Sequence, residues 1–547
     1  MKLLRVWIEN FKNLNDFTIR FPESSVDNEA NETSITVLIG WNGTGKSNLF
    51  EAIVVIFRDL DLGHKTNFGY EIDYICHGNR ISIKNVRIEK SSSSKDDTDR
   101  PATVTYRLEK KIDPITFVLS PENQKADLPF IPTYVFAYYS GPSGRLSEYF
   151  EEHKRRYYDA VIHPEKGKNL RDLKSLRRFF FAENHHSKYV LLAFFLKDDE
   201  KIKKFLSDYL RIVGLESVLF IMKEPFWAKN KNHLWGAEGL PKITLEKLYE
   251  ISLAPMRLKQ RVSVGIKNRQ SKEFYYLYVK DVDSLNELAK DYDTPNDFFA
   301  SLESTDLSEV IEDVVIKVKL RNQDGTLTFR ELSEGEQQLL TVLGLLRFTK
   351  ENESLILLDE PDTHLNPHWG VKYIDMLREI VNDERDVTST DDNRHVLMAT
   401  HDPLAISILE KENIQIFKRD KDDHCYSEMP EMSPKGLGFT GILTSDMFGF
   451  RSDLDPATLA ELDRKVYLSG KDILSGPEKQ ELEEINTSLD NVGLLTAFSD
   501  PYYSEFVKAW SRKTDTRKHE KPFLTAEDRI DQAAMTDEIL EELLKEK

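Results

Sequence analysis

The fold is decided by ITVLIGWNGTGKSNLFEAIVVIF, residues 35–57, where strand-forming residues enter a glycine-rich turn and continue as an apolar helix pattern. Residues 40–47 match GxxxxGK[ST], a pattern that cradles phosphate groups when it follows a strand and precedes a helix. Its glycines let successive backbone N–H groups point at the phosphates, and the helix start adds partial positive charge. The residues that we expect at a bound nucleotide are Gly40, Asn42, Gly43, Gly45, Lys46, Ser47 and Asn48.

A second motif, SLILLDEP at residues 354–361, is a buried-strand pattern that ends in two acids. An acid pair alone is more often a solvated strand end. Open parallel sheets, however, bind ligands at the carboxyl ends of their strands, where the glycine-rich turn also lies. We predict that Asp359 and Ser47 hold Mg²⁺, that Lys46 reaches the β and γ phosphates, and that Glu360 polarises an attacking water.

The segment LSEGEQ, residues 332–337, opens the helix pattern before that strand. Ser333 and Glu336 have the S-x-x-E spacing of a capping box, which satisfies N–H groups at a helix start. A serine, a close-approach glycine and a helix amino terminus also form an anion site. We predict that Ser333, Gly335 and Glu336 contact nucleotide. The segment lies far along the chain from the glycine-rich turn, which should not need it to bind its own phosphates.

A fourth motif, ATHDP at residues 399–403, again follows a buried-strand pattern. A lone histidine is usually structural. His401, however, ends the strand that comes next along the chain after Asp359, which favours a phosphate-sensing role. We predict that His401 donates a hydrogen bond to the γ phosphate.

The order of strand and helix patterns is that of a parallel α/β sheet. We predict one head over residues 1–440, with an insert at about residues 64–315 that is β-rich at first and largely helical from residue 146. YVFAYYS, residues 134–140, is expected to be a buried strand. Beyond residue 440 the strand pattern stops, and we predict a separate helical extension, residues 441–547, for partner or oligomer contacts.

The composition favours a soluble cytoplasmic protein without membrane contact. The 547 residues are 31% charged, with a mean hydropathy of -0.49, and no apolar run approaches the roughly 20 residues that span a bilayer. A net charge of -19 gives no general attraction to nucleic acid, so any such contact needs a local basic patch or a partner. Cys76 and Cys425 belong to no disulfide or zinc pattern.

The four motifs, in this order, resemble the ABC ATPase superfamily. Walker A is at residues 40–47, the signature at 332–337, Walker B at Asp359 and Glu360, and the switch histidine at His401. The resemblance implies an α/β ABC-type P-loop head that binds ATP and Mg²⁺ and hydrolyses ATP, and we expect no nuclease centre in this chain because its two candidate nuclease patterns, described below, are not convincing. It also implies a head-to-tail dimer, in which Ser333 and Gly335 reach the γ phosphate of the other copy; higher oligomers stay open.

Within the superfamily, LLRVWIENFKNLNDFTIRF and DEPDTHLNP are similar to the branch of SMC-, RecF- and OLD-like ATPases. In that branch residues 362–366 would couple the two nucleotide sites. The insert lacks sustained heptads, which argues against the long coiled-coil arm of chromosome-structuring members. One departure is the Q-loop, because no clear glutamine is found and its expected place carries YYSGP, residues 138–142.

A further resemblance is to the PtuA family, the ATPase subunits of Septu-type antiphage systems, including those associated with retrons. It rests on the short-armed head, the YYSGP strand and the tail segments DMFGFRSDLDPATL and DPYYSEF. It implies an antiphage complex in which the ATPase controls an HNH nuclease, called PtuB in that family. The alternative is a RecF/OLD-like ATPase that acts directly on DNA in repair or recombination.

Residues 154–178 carry nine Lys or Arg against three acids, with aromatic residues interleaved. This pattern suits contact with nucleic acid or a retron ribonucleoprotein, and a solvated helix face is the equal alternative. Arg178 and His185 have the R-x6-H spacing of some RNase motifs, but a basic, aromatic helix is the favoured interpretation. Asp453 and Asp455 are rejected as a Toprim acid pair because no buried strand precedes them.

Overall fold

The glycine-rich turn leaves a strand near the middle of a parallel sheet in a computed structural model of the chain. The structure describes residues 1–22, 34–85, 103–108, 115–118, 130–162, 177–196, 199–228, 233–264, 268–290, 292, 294–321, 326–348, 353–382, 394–471, 473–491, 510 and 526–545. These residues form two compact units. The first holds residues 1–405 and 412–428, with all four motifs, and the second holds residues 406–411 and 429–547.

Seven described strands make the central sheet of the first unit. They are β3 (Ser34–Gly40), β8 (Tyr134–Tyr139), β9 (Phe179–Ala182), β15 (Ser354–Asp359), β16 (His395–Ala399), β17 (Ile414–Arg419) and β18 (Cys425–Glu428). Their order is β18-β17-β3-β16-β15-β8-β9, and all neighbours are parallel except β17 with β18. Each residue of β15 and β16 is buried, as expected for strands covered on both faces. The predicted parallel α/β fold is confirmed.

Helix α1 (Lys46–Leu62) packs between the parallel sheet and an antiparallel sheet. The antiparallel sheet contains β1 (Lys2–Phe11), β2 (Leu14–Arg20), β4 (Tyr70–Cys76), β5 (Asn79–Asn85), β6 (Thr103–Leu108) and β7 (Ile115–Val118), in the order β2-β1-β4-β5-β6-β7. One core joins apolar side chains of α1 with those of both sheets. Helix α1 is apolar nearly all round, as expected for a helix that is covered on two sides. Its packing on both sheets supports the turn that precedes it.

The opposite face of the parallel sheet is covered by helices of the later chain. Alternate residues of a strand face opposite sides of its sheet, so Tyr138 points away from the α1 core, and its hydroxyl is hydrogen-bonded to Gln338. Gln338 lies on α8 (Glu334–Phe348), which packs against α3 (His186–Phe194) and α9 (Pro367–Asn382). The signature segment therefore begins a helix that contacts the Walker B sheet.

The insert contains helices and a second antiparallel sheet. Besides α3, the described helices of the insert are α2 (Glu151–Ile162), α4 (Glu200–Leu210), α5 (Gly239–Ile251), α6 (Val282–Ala289) and α7 (Pro295–Leu307). The sheet contains β10 (Ile212–Lys223), β11 (Met256–Val264), β12 (Asn268–Val279), β13 (Ile311–Leu320) and β14 (Thr326–Thr328), in the order β11-β12-β10-β13-β14.

The prediction that the insert is largely helical from residue 146 omitted this sheet. Its strands mix apolar residues with lysine, glutamate and arginine, which also favour helices, and this hid the alternation. In β13 the buried residues Val314, Ile316 and Val318 recur at every second position, which is the period of a half-buried strand.

The second unit contains helices in its described part. They are α11 (Gly438–Thr444), α12 (Pro456–Ser469), α13 (Gly476–Asn491) and α14 (Ala526–Lys545), and the short α10 (Pro403–Ile406) spans the two units. The unit boundary after residue 428 lies twelve residues before the predicted one after residue 440. Asp455 caps α12 by accepting the N–H of Ala457 at 3.0 Å, and Asp453 accepts the hydroxyl of Thr440 at 2.8 Å, so both acids have structural contacts.

None of the helices within the described ranges combines the length and apolarity needed to cross a membrane.

A buried ion pair joins the start of β9 to α7. The guanidinium of Arg177 lies 2.5 Å from Glu303, with side chains only 7% and 3% exposed, and it also donates to the carbonyl of Phe179 at 3.1 Å. Burial raises the pKa of Glu303, although Arg177 opposes this. The charge of Arg177 therefore compensates a carboxylate that the core would otherwise disfavour.

We predict that Arg177→Ala lowers the free energy of unfolding by about 3 kcal/mol or more, because it leaves Glu303 charged and unpaired in the core. Arg156→Ala is the matched control: its pair with Glu152 is exposed and should contribute less than about 1 kcal/mol. The double variant Arg177→Met with Glu303→Leu should recover most of the loss. Urea unfolding of the three variants measures this, and equal midpoints for the two single variants would contradict it.

Candidate active site

The glycine-rich turn has the backbone that its sequence predicts. Gly40, Gly43 and Gly45 have φ values of 143°, 83° and 103°, a region that side chains disfavour. A Cβ on Gly40 would lie 2.4 Å from the carbonyl oxygen of Phe417. Lys46 folds over the turn and donates to the carbonyl of Gly40 at 2.6 Å. The turn is therefore shaped to present its N–H groups and one ammonium to an anion.

Two residues that the sequence did not identify hold this turn from outside. Asn13, between β1 and β2, donates to the carbonyl of Gly43 at 2.8 Å and accepts from Asn48. Arg419, at the end of β17, donates to the same carbonyl at 2.5 Å. These two contacts fix the orientation of the Gly43 carbonyl. The motif FKNLN around Asn13 is far in sequence from residue 43, so only the fold shows the contact.

Asp359 lies at the end of β15 beside the first turn of α1. Its carboxylate accepts a hydrogen bond from Ser47, and burial raises the pKa of Asp359 to about 6. Burial also lowers the pKa of Lys46, while Asp359 and Glu360 oppose that effect. A hydroxyl and a carboxylate oxygen in direct contact are ligands that Mg²⁺ prefers, and the nearby cations Arg145 and Lys46 offset only part of the effect of burial on Asp359. The pair therefore fits a magnesium ion.

Glu360 and His401 face each other at the ends of neighbouring strands. His401 Nδ1 lies 3.4 Å from Glu360 Oε1. The hydrogen bond from His401 lowers the pKa of Glu360, and the same contact raises the pKa of His401. Glu360 also has a φ of 52°, a strained value for a non-glycine residue that is often found at active sites. A carboxylate kept ionised here can accept a proton from water.

Gln338 connects the signature helix to Walker B, and the sequence analysis did not single it out. Its Nε2 donates to the carbonyl of Glu360 at 3.4 Å, its Oε1 accepts the N–H of His364 at 3.3 Å, and Tyr138 contacts it from β8. The segment EGEQQ offers two glutamines, and only the helical register shows which one points inward. Gln338 thus joins three motifs in one buried contact.

The YYSGP segment lies where the missing Q-loop is expected. β8 pairs with β15, and the N–H of Ser140 donates to the carbonyl of Asp359 at 3.2 Å. Its hydroxyl lies 3.3 Å from that of Thr363. Ser140 therefore contacts both Walker B and the 362–366 loop through short polar groups, in the place where the family pattern has a glutamine.

A buried acid, Asp362, fixes the loop at residues 362–366 to the end of β16. Asp362 accepts the hydroxyl of Thr400 at 2.5 Å, and burial raises the pKa of Asp362 to about 6. On its other side the loop touches the signature: a Cβ on Gly335 would lie 2.5 Å from the carbonyl oxygen of His364. Gly335 therefore lies in close contact with this loop, and its predicted contact with nucleotide stays a prediction.

The signature segment has the predicted capping box. Ser333 donates its hydroxyl to Glu336 Oε2 at 2.8 Å and its N–H to the same oxygen at 2.7 Å. The N–H of Glu336 donates in return to the hydroxyl at 3.3 Å. Ser333 is exposed, so the start of α8 is accessible from solvent.

A buried acid on α1 ties the site to the chain beyond β8. Glu51 is 1% exposed and contacts Lys12, and it accepts from Arg145 at 2.6 Å and from Tyr149 at 2.9 Å. Arg145 also contacts the side chain of Asn48, next to the predicted magnesium ligand. Two basic groups and a phenol from outside α1 thus fix the first turns of the helix.

The basic stretch is only partly within the described residues, because residues 163–176 lie outside them. Four of its described cations form ion pairs with acids of the same unit. The pairs are Lys154 with Glu183, Arg156 with Glu152, Arg177 with Glu303 and Arg178 with Asp61.

The R-x6-H pair does not meet as one centre. Arg178 contacts Asp61, whereas His185 lies 3.1 Å from Asp306 and 3.4 Å from Glu183. The two residues thus have different acidic partners, as expected for structural contacts.

Comparison with known proteins gives a family and a curated relative. The family model described as "AAA domain, putative AbiEii toxin, Type IV TA system" matches residues 35–407, about two thirds of the chain. The Septu protein PtuA of Bacillus mycoides (strain KBAB4) is 25% identical over 209 residues. That match covers 36% of this chain and 27% of PtuA, so the chain spans about a quarter of the relative.

Solved structures with a similar arrangement include SMC head domains. The head domain from Thermotoga maritima has 11% identity and a TM-score of 0.30, covering 79% of this chain and all of that one. The Pyrococcus furiosus head, bound to the C-terminal domain of ScpA, has 14% identity and a TM-score of 0.29, covering 78% and 96%. Likenesses this distant carry no functional information.

With Walker A and Walker B at strand ends of one parallel sheet, the signature at the start of a helix that packs on it, and the family model spanning all three, the chain belongs to this AAA-domain family and is an ABC-type P-loop ATPase that resembles PtuA.

Proposed function

We propose that this protein is the ATP-binding and ATP-hydrolysing subunit of a bacterial antiphage defence complex, located in the cytoplasm, and that it controls an associated HNH-type nuclease. The observation that carries the ATPase part is the pairing of Glu360 with His401 beside the buried Ser47–Asp359 contact. The local similarity to PtuA supports the defence part.

The described side chains suggest how ATP is handled. Lys46 would exchange its contacts with the turn carbonyls for the β and γ phosphates, while Ser47 and Asp359 would hold Mg²⁺, which supplies charge neutralisation at the phosphates. Glu360, kept ionised by His401, would orient and deprotonate the attacking water. His401 would then donate to the γ phosphate.

The exposed start of α8 supports a head-to-tail dimer. Ser333 lies at a helix amino terminus that faces solvent, and such a terminus attracts phosphate oxygens. In our proposal it contacts the γ phosphate held by the glycine-rich turn of a second copy. The contact of Gly335 with the 362–366 loop would then link occupancy of one nucleotide site to the other.

The proposal also assigns surfaces to the nuclease partner and to nucleic acid. We place the nuclease contact on the helical extension, residues 441–547, and we retain residues 154–178 as a candidate contact for nucleic acid or a retron ribonucleoprotein. The alternative is a RecF/OLD-like ATPase that acts on DNA in repair or recombination, and it predicts DNA binding without a stable protein partner.

Glu360→Gln should lower the rate of ATP hydrolysis by about 100-fold or more while ATP binding persists, because an amide cannot take the proton of water. The dimer should then accumulate in ATP and Mg²⁺, as measured by light scattering during gel filtration. Glu412→Gln, an exposed residue with the same charge change, is the control. Normal hydrolysis in the Glu360 variant would remove this residue from its proposed role.

Mixing two inactive variants tests the head-to-tail arrangement. Lys46→Ala removes the phosphate contact, and Gly335→Ala introduces a Cβ 2.5 Å from the carbonyl oxygen of His364. A mixed dimer has one site with both defects and one intact site. Equimolar mixing should therefore restore about a quarter of the unmutated activity, since half of the dimers are mixed.

No recovery on mixing would contradict the proposal that a site combines the glycine-rich turn of one copy with the signature of the other. Gly476→Ala is the matched control for adding a methyl group to a helix start, because nothing lies within 4 Å of its Cβ. That variant should be active alone.

Affinity capture of the tagged protein from its native cells tests the partner. The full chain should retain an HNH protein, and a chain without residues 441–547 should lose it, while ATP binding by the first unit persists. A shorter deletion of α14 alone shows whether the acidic terminal helix carries the contact. Recovery of DNA with no stable protein partner would favour the repair-type alternative.

A further inference from the structure

The β11–β12 hairpin is an exposed ribbon at the edge of the insert sheet. β11 is the edge strand, and its only described neighbour is β12. Residues 256–261 of β11 are all exposed, as are residues 269–271 of β12. A strand with one face on the core would show burial at every second residue. The outer part of the ribbon is therefore free of the body of the unit on both faces.

One face of this ribbon is basic. The antiparallel register places Lys259 opposite Glu273, Arg261 opposite Ser271 and Ser263 opposite Arg269, and directly opposed residues share a face. Arg257 lies on that face too, but its charge is paired with Glu273 at 2.6 Å.

Lys259, Arg261 and Arg269 carry the remaining positive charge of this face. Within the described part of the chain, none of the three has an ion pair with an acid. These three unpaired cations form a local basic patch on a chain whose net charge is -19, and such a patch is what an acidic chain needs to attract an anionic partner.

We propose that this ribbon is a binding surface for duplex DNA, with Lys259, Arg261 and Arg269 contacting the phosphates. A two-stranded ribbon fits the major groove of B-DNA, which is about 12 Å wide. Lysine and arginine contacts to phosphate give affinity without sequence preference. The proposal goes beyond the proposed function, since the ATPase itself holds the DNA whether or not a nuclease is attached.

The shape of the ribbon favours duplex DNA over other nucleic acids. Single strands are bound by aromatic platforms on which bases stack, whereas the outer part of the basic face presents Lys259, Arg261, Ser271 and Arg269. The major groove of A-form RNA is deep and narrow, which prevents entry of a ribbon. The described cations of the 154–178 stretch are a weaker candidate, because four of them are neutralised in ion pairs.

The position of the ribbon relates DNA to the ATPase site. The opposite edge of the same sheet is β14, which precedes the signature at residues 332–337 by a single turn of chain. Asp313 on β13 contacts Arg330, just before the signature, and Lys188 on α3 at 2.5 Å. One sheet thus carries the basic ribbon on one edge and leads into the signature on the other.

The test is fluorescence anisotropy with a labelled DNA duplex and the full chain without nucleotide, titrated over a range of salt concentrations. The triple variant Lys259→Gln, Arg261→Gln, Arg269→Gln should bind about tenfold or more weakly. The slope of log K against log salt should become shallower by about 2.7, at about 0.9 per lost phosphate contact. Melting temperature and ATP hydrolysis without DNA should not change, because the ribbon lies outside the core and the nucleotide site.

The control is Lys203→Gln, Lys242→Gln, Lys290→Gln. It changes the net charge equally, and each of these lysines is exposed and paired with a glutamate three or four residues away in sequence. The control should bind duplex like the unmutated protein. Equal weakening by both triple variants, failure of the unmutated protein to bind duplex, or tighter binding of single-stranded DNA or RNA would each overturn the proposal.

The same measurements separate this inference from the proposed function. Lys46→Ala should abolish ATP binding and leave nucleotide-free duplex binding intact. If duplex binding depends on the ribbon but ATP drives no dimer, the proposed function is wrong and the proposal that the ribbon binds DNA stands. An ATP-driven dimer with no duplex binding would mean the reverse.

Discussion

Burial of the Asp359 carboxylate at the end of a central strand is the constraint on which the rest of the site depends. Parallel neighbours on both sides remove water from β15, and the carboxylate is then disfavoured as a charge unless cations and donors surround it. Ser47, Lys46 and Arg145 supply that environment from α1 and from the chain after β8. Strand β15, helix α1 and the chain after β8 must therefore meet at this point. The strand order β3-β16-β15-β8 brings them together.

The same constraint explains why the predicted motifs converge. The apolar runs at 354–358 and 395–399 end in polar residues and the run at 35–39 ends in the glycine-rich turn, and parallel strands deliver their carboxyl ends to one edge. The sequence could therefore predict the fold class, the glycine-rich turn, the acid pair and His401. It could also predict the cap at Ser333, because capping depends on residues only three apart.

What the sequence could not predict depends on contacts between distant segments. Asn13, Arg419 and Gln338 support the site by donating hydrogen bonds to backbone carbonyls. Every residue type has a backbone carbonyl, so such a contact leaves no signal in the sequence of the accepting segment. The insert sheet was hidden for a different reason. Its strands mix apolar residues with lysine, glutamate and arginine, which also favour helices, and this hid the alternation by which strands are recognised.

The cap on α8 has a consequence for the energetics of assembly. With Ser333 donating both its hydroxyl and its N–H to Glu336, an internal carboxylate already occupies the anion position at the helix terminus. An incoming phosphate must displace the Glu336 carboxylate, because the two negative groups repel each other and cannot share the position. Association at this face is thus an exchange of one anion for another. In the isolated head the hydroxyl and N–H of Ser333 already have an internal acceptor, so they give no drive to pair with a nucleotide-free copy.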